Sequence, residues 1–589
     1  MGTELTTVAC CASGVLQPAR AHRRRTRRTF WVAGYAGQAS VPQQFFELLR
    51  QHSIARDPQA ELVTLAQSCA PSPARTGVPS AMPPLLRFAR TARSRHFSHK
   101  IRFARVADLP GRVHVTWRWG LVAGIIAVLA GVLYTLIGLG SFRGLILGQD
   151  LGIFDQAVRA YAHFQAPYIQ IKAQGGFNIL GDHFSPIIMA LVPFYWIWPS
   201  AKMLMVAQAL LFAGSSFFVG WYGLRRGLGA MAFVVQVAFI LSYGVFSAML
   251  FDFHEVAFGL PILLYALWAF LEKRDGHLIV ACVLMCLVKE DMPMYAAGIA
   301  LALLVTGRRL FGVILGAASV VVTLLEVFVI IPIFSYWGHF AYVGSGSRGI
   351  DSFSAVFGVF FQHLFSIRGL EFVLLIAVTA GVGVLRPIMF AVLPTVLIRF
   401  MANDTIYLGF RYHYGVLLTA VAVVALIDGW AWLGGKRAVV ARAGRTMQVG
   451  IVLLLAIIEL FGTGAPFESV SEYKNVRTRI EMLWTNKQKA ADMQAISAQI
   501  PDGANVAADV YLVDQIVDRT TVQIAHPNWQ DETGKPISAD YVWLYTSTIS
   551  YQNQSTPWVS DLFTKLIGPG GGYKMIAYQG PFILLQRVG

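Results

Sequence analysis

Apolar runs of membrane length recur along most of this chain, and the polar residues between them fall into a few compact groups. The first run covers about 117–140 and the next about 200–224; others follow at about 228–250, 256–271, 310–334, 370–385, 387–400, 412–433 and 446–464. The stretch 277–306 reads as two short helices that leave one face and return to it. A helix of roughly 17–25 apolar residues crosses a bilayer, so the pattern predicts a polytopic α-helical membrane protein with about 11 transmembrane helices. After residue 465 the pattern changes. Asn505–Ala508, Val522–Ala525 and Tyr541–Tyr545 predict short strands, and Tyr573–Tyr578 with Phe582–Gln586 predicts a hairpin about Gln579-Gly580. Residues 466–589 are therefore expected to form a small α/β domain.

The positions of Lys and Arg orient this pattern, because cytoplasmic loops are enriched in them. Arg118, Arg225-Arg226, Lys273-Arg274, Arg308-Arg309, Arg386 and Lys436-Arg437 alternate with the apolar runs. They predict a cytoplasmic N-terminus, a long extracytoplasmic loop over 141–199, and an extracytoplasmic C-terminal segment. The expected division is a basic cytoplasmic tail at 1–116, a transmembrane region at 117–465, and the terminal domain at 466–589.

Composition agrees with a multi-pass protein of the cell membrane. Of 589 residues, 56% are hydrophobic and 14% charged, against about 25% charged in soluble domains. The net charge of +16 is concentrated, since residues 1–118 hold 18 Lys/Arg against 5 Asp/Glu. The remainder is nearly neutral and carries no nucleic-acid footprint. The tail, rich in Arg, Ala, Ser and Pro, is expected to be disordered. Thr26–Val32 is similar to a twin-arginine export signal, but the apolar stretch behind it is broken by Gly34 and Gly37, so a solvated basic tail, or an N-terminus assigned too far upstream, is the better reading. Cys10, Cys11 and Cys69 lie in the tail, while Cys282 and Cys286 sit four apart on an apolar helix. These spacings suggest neither a metal site nor a disulfide framework.

The polar groups are the candidate chemistry. They are Gly148–Gln156 with Asp150 and Asp155; Gly181–Pro186 with Asp182 and His183; Asp252-Phe253-His254-Glu255; and Lys289-Glu290-Asp291. All are expected on the extracytoplasmic side. A charge at a helix centre costs roughly 2.5–3.5 kcal/mol on insertion scales, so charges kept beside a bilayer usually face a cavity. Each group also has a plainer role. Asp150 is placed to cap the helix from Leu151 onward, Asp155 to sit in solvent, Asp182-His183 to close a turn before Pro186, and Asp252 and His254 to cap at the interface. Lys289-Glu290-Asp291 can neutralise itself, and Arg399 and Arg411 can snorkel from span ends.

These motifs, in this order and with the turn Ile500-Pro501-Asp502-Gly503-Ala504, resemble a family of predicted bacterial membrane proteins, the domain-of-unknown-function family numbered two thousand and seventy-nine. The resemblance covers about 118–589. Its general plan is similar to the GT-C glycosyltransferases, which use polyprenyl-phosphate sugars. Those enzymes carry an acidic motif in the first large external loop, a place held here by Asp150, with Asp155 five residues on where adjacent or once-spaced acids are usual. The resemblance implies transfer of a sugar from a polyprenyl-phosphate donor in the lipid bilayer to a cell-envelope acceptor. It implies Asp150, Asp155, Asp182 and His183 as catalytic candidates. Asp252, His254, Glu255, Lys289, Glu290, Asp291, Arg348, Arg399, Arg411 and His413 are candidate substrate contacts, the cations serving the phosphate. No cofactor is assigned, and a divalent metal stays open. A membrane transporter and a non-catalytic envelope-assembly scaffold are the alternative readings.

Overall fold

The computed structural model describes residues 115–343, 353–410, 412–434, 476–546 and 558–588. The expected basic tail up to residue 114, Arg348, Arg411 and the expected span at 446–464 lie outside the described residues. The described chain is mostly helical. Five of its helices are long and apolar enough to cross a membrane: α1 (Trp117–Gly144), α4 (Ala201–Arg225), the run Arg309–Phe334, the run Ile367–Leu385, and α14 (Val416–Gly434). The pair α5 (Met231–Leu241) and α6 (Tyr243–Leu250), bent by 43° at Ser242, makes a sixth if taken as one span.

Shorter helices complete the bundle. They are α2 (Gln149–Ala162), α3 (Val192–Ile197), α7 (Val256–Leu271), α8 (Asp275–Cys286), α9 (Met292–Val305), α11 (Phe353–Leu364), α12 (Ile367–Ala380, the first part of the fourth long run) and α13 (Leu393–Met401). At about 1.5 Å per residue the 14-residue α9 is about 21 Å long, short of the roughly 30 Å hydrocarbon core. The expectation of about 11 spans counted such runs as crossings.

Position in the bundle follows from how far the apolar face extends. Every residue from Val416 to Ala431 of α14 is buried, so this helix, apolar all round, is central. The run Arg309–Phe334 is peripheral, with only 22% of its apolar window buried. It begins as α10 (Arg309–Leu325) and passes through a π turn at Glu326–Ile330. Pro332 lies just beyond and has no N–H to give the carbonyl four residues back, which is the usual setting for such a bulge.

Two devices lock the helices. Asp428 of α14 accepts from Arg226 Nη2 (2.8 Å) at the end of α4 and from Arg386 Nε (2.5 Å) ahead of α13, and all three side chains are buried. Gly140 of α1 allows the second. A Cβ there would lie 1.8 Å from the Arg479 carbonyl oxygen, and Arg479 of α15 (Val476–Glu481) donates to Ser141 Oγ (2.7 Å) and the Leu250 carbonyl (2.8 Å).

Beyond α15 come α16 (Lys487–Ser497), α17 (Trp558–Ile567) and a five-stranded mixed sheet. With β1 (Tyr168–Ile169) and β2 (Phe177–Asn178) forming a small ribbon earlier in the chain, the sheet comprises β3 (Asn505–Ala508), β4 (Thr521–Ile524), β5 (Tyr541–Tyr545), β6 (Tyr573–Gln579) and β7 (Phe582–Arg587). Their order is β4-β3-β5-β7-β6, with β3 parallel to β4 and β5, and with β7 antiparallel to β5 and β6. Gly580 (φ 56°) makes the β6–β7 turn.

Breaking the buried Arg226–Asp428–Arg386 lock strands two guanidinium groups in the bundle. Asp428→Ala should destabilise the protein by roughly 3–5 kcal/mol. This is to be read as a lower thermal unfolding midpoint in detergent, and an unchanged midpoint would show that the lock does not hold the bundle.

Candidate functional site

The site is organised by the N-terminus of α2, whose first amides have no partner within the helix. Asp252, in the link between α6 and α7, supplies it. Its carboxylate accepts from Gly148 N (3.0 Å to each oxygen), Asp150 N (3.2 Å) and Leu151 N (3.4 Å). A negative charge at a helix N-terminus is favourable. Asp252 is thus the cap of α2, while Asp150, one turn position inside, has its side chain released from that role. The Asp150 carboxylate, 32% exposed, faces His254 Nε2 at 3.5 Å.

His254 is held at both ring nitrogens and by stacked rings. Its Nδ1 lies 3.2 Å from the Asp252 carbonyl, its amide donates to Gln208 Oε1 (3.1 Å), and its ring stacks with those of Phe251 (5.1 Å) and His413 (4.0 Å). Burial pulls the His254 imidazole down, but the hydrogen bond and charge of Asp150 more than offset this and hold it above the usual value. Burial pushes the Asp150 carboxyl up, yet His254 and Lys172 bring it below the ordinary carboxylate range. The His413 ring is driven well down by burial and by the His254 charge, so it is neutral.

Three further ion pairs surround this one. Lys172 Nζ bonds Asp182 Oδ2 (2.5 Å), His183 Nδ1 bonds Glu290 Oε1 (2.7 Å), and Lys289 Nζ lies 2.8 Å from Glu255 Oε1. Tyr342 stacks on His183 and donates to Asp182. Burial lowers the Lys172 ammonium, but Asp182 and Glu532 raise it overall; burial raises Asp182, but Lys172 and His183 lower it overall. His183 is likewise lowered by burial and raised overall by Glu290.

These groups line one cavity of about 680 Å³. Asp150, Lys172, Asp182, His183, His254, Glu255, Lys289, Glu290, Asp291, Arg399 and His413 all contribute to its wall. Its apolar side is formed by Leu324, Val327 and Phe328 on and beyond α10, with Ile398 of α13. Leu324 and Phe328 have half or more of their surface exposed.

Two residues singled out in the sequence lie elsewhere. Asp252 is behind the cavity wall, capping α2. Asp155 is fully buried, not solvated, and accepts from Tyr195 OH (3.2 Å). Five residues at about 100° each place it about 140° around α2 from Asp150, away from the cavity. Burial and the Asp518 charge push its carboxyl up to about 7.

Lys172 was not among the expected residues, nor were Glu532 and Tyr342. Lys172 is the single lysine between 141 and 199, which was the available signal. Its place depends on distant segments. The β1–β2 ribbon is clamped by Gln156 Oε1, which accepts from Gln170 N (2.8 Å), and by Asp531, which accepts from Gln174 N (2.9 Å). Glu532 N donates to the Lys172 carbonyl (3.1 Å). Among the described residues no group of three or more His, Cys, Asp or Glu is placed to hold a metal ion.

The raised imidazoles fix a pH dependence. Below the free histidine value of about 6.5 the rings are charged in folded and unfolded chains, and the pairing with Glu290 or Asp150 stabilises in full; it is lost as pH rises through the raised folded values. His183→Gln should therefore lower the unfolding midpoint most below about pH 6.5 and progressively less on the alkaline side. A deficit that stays constant as the pH is raised would mean the ring pairs with Glu290 while neutral.

A sequence model of a family described as predicted membrane proteins (DUF2079) matches residues 145–579, about three quarters of the chain. The matched region takes in every cavity residue named above. No curated protein and no solved structure matches the chain.

Proposed function

Given that the chain belongs to the DUF2079 family of predicted membrane proteins, we propose that it is an integral-membrane glycosyltransferase with a GT-C-like plan. It moves a sugar from a polyprenyl-phosphate donor to a cell-envelope acceptor on the extracytoplasmic face of the cell membrane. The reading is carried by the two-sided cavity. One side presents ionised groups in pairs, and the other presents Leu324, Val327 and Phe328 on a peripheral membrane helix. Such a cavity suits a ligand with an anionic head and a long hydrocarbon tail that stays in the bilayer.

In this reading Asp150 is the general base. It is ionised at neutral pH, it is open to the cavity, and its backbone is fixed by Asp252. It takes the proton from the acceptor hydroxyl as that oxygen bonds to the anomeric carbon. The bond from that carbon to the phosphate oxygen breaks, and the oxygen leaves with the electron pair. Lys172, Lys289 and Arg399 neutralise the departing phosphate. His254 positions Asp150, and His183, protonated against Glu290, offers a further donor.

The reading brings a topology with it: a cytoplasmic N-terminus, about 11 spans if the short apolar helices count as crossings, and residues 141–199 and 466–589 outside, the latter as an α/β domain. Lys273-Arg274 and Arg308-Arg309 stand at the far ends of helices whose other ends meet the cavity, in keeping with this. A cysteine at the exposed Tyr578 should react with an impermeant maleimide in intact cells; protection until the membrane is opened would reverse the orientation.

Removing a general base costs about 10²–10⁴ in rate. Asp150→Asn should lose transfer on that scale while inserting normally. Asp155→Asn should keep most of it, because Asp155 faces Tyr195 and not the cavity. The assay is envelope glycan and glycolipid composition in a deletion strain complemented with each variant. Full restoration by Asp150→Asn would remove Asp150 as the base. Unchanged glycans with altered uptake of a solute would replace transfer by transport.

A further inference from the structure

Residues 184–201, between His183 and the start of α4, contain no Lys, Arg, Asp or Glu. A 3-10 turn over Pro186–Leu191 leads into the six-residue α3, and Pro199-Ser200 leads on into α4. One side of this segment is packed, with Ile188, Leu191, Val192 and Tyr195 buried against the protein. The other side is equally apolar and uncovered. It shows Met189, Phe194, Trp196, Trp198 and Ile197, the last 82% exposed. Phe164, just past the end of α2, is 88% exposed, and its ring lies 6.0 Å from that of Trp196.

A segment apolar on both sides is not a water-facing surface, and this one is far too short to cross a bilayer. Its place identifies what covers it. It runs directly into α4, a helix of membrane length, at the end opposite Arg225-Arg226, and α4 turns its own apolar residues outward, Leu210 among them. The patch therefore continues the lipid-facing surface of α4 to the level where that helix leaves the membrane. Tryptophan and other amphipathic rings concentrate at that level because an apolar body and a polar edge are both accommodated there.

The segment is also tied to the helix that carries Asp150. Trp196 Nε1 donates to the Ala162 carbonyl (2.8 Å) in the last turn of α2, and Tyr195 OH donates to Asp155 midway along it. We infer that residues 186–198, with Phe164, form an interfacial anchor that lies in the headgroup–acyl boundary of the bilayer and sets the height of α2 above it. The partner is the lipid surface itself. The inference is independent of the transferase reading, since it concerns where the segment sits and not what the cavity does.

Spin labels at Phe164→Cys, Ile197→Cys and Lys574→Cys, each in the full chain with its native cysteines replaced and reconstituted in lipid nanodiscs, test it directly. All three side chains are exposed, so the labels displace little packing. At positions 164 and 197 oxygen should relax the label more effectively than a water-soluble nickel chelate. At position 574 the order should be reversed. Nickel accessibility at 164 and 197 equal to that at 574 would overturn the anchor. So would low accessibility to both reagents with label–label broadening, which would assign the patch to contact between copies of the chain.

Discussion

A charged group buried away from water loses the hydration that stabilised it, and it persists there only with a compensating partner. The cavity is assembled under this constraint. Asp150 faces His254, Lys172 meets Asp182, His183 meets Glu290, and Lys289 meets Glu255. Two of these pairs, Asp150–His254 and His183–Glu290, join segments more than a hundred residues apart, so compensating the charges also fixes the positions of the α6–α7 link, the α8–α9 link and the loop after β2. Removing one partner is then costly twice over, once for the uncompensated charge and once for the lost connection.

Helix α2 is where these connections converge. Asp252 closes its N-terminus and Trp196 takes a carbonyl of its last turn. Gln156 in its middle holds the β1–β2 ribbon with one amide atom and the Val522 carbonyl of β4 (2.9 Å) with the other. Gly152 permits the close approach, because a Cβ there would lie 2.7 Å from Ile171 and 2.9 Å from Asp514. The C-terminal sheet thereby bears on the cavity through the ribbon that presents Lys172. A short amphipathic helix with little stability of its own is in this way held from the bundle on one side and the sheet on the other.

How much of this was legible in the sequence depended on the range of the interaction. Membrane-length apolar runs and the alternating strands carry local signals, and helices and strands stand at α1, α4, α14 and β3 to β7 accordingly. The polar groups were conspicuous against an apolar background, which is why Asp150, Asp182, His183, His254 and Lys289-Glu290-Asp291 could be singled out together. The pairing among them was not legible, since contacts over a hundred residues leave no local trace. Asp155 shows a different limit: its neighbours in sequence are those of Asp150, but the 3.6-residue period of the helix turns it away. Lys172 and Glu532 owe their places to the clamp between the ribbon and the 528–538 turn, which no periodicity announces. The amphipathic α17 is short, and its polar and apolar residues gave no strong boundary.

The central claim is that one cavity receives an anionic head from the bilayer side of α10. It is tested most directly by determining the structure of the full chain in lipid nanodiscs with a polyprenyl phosphate added. The account predicts phosphate density within hydrogen-bonding distance of Lys289, Arg399 or Lys172, with the hydrocarbon chain leaving past Leu324 and Phe328. A cavity that stays empty at saturating lipid, or lipid bound only on other faces of the bundle, would contradict it.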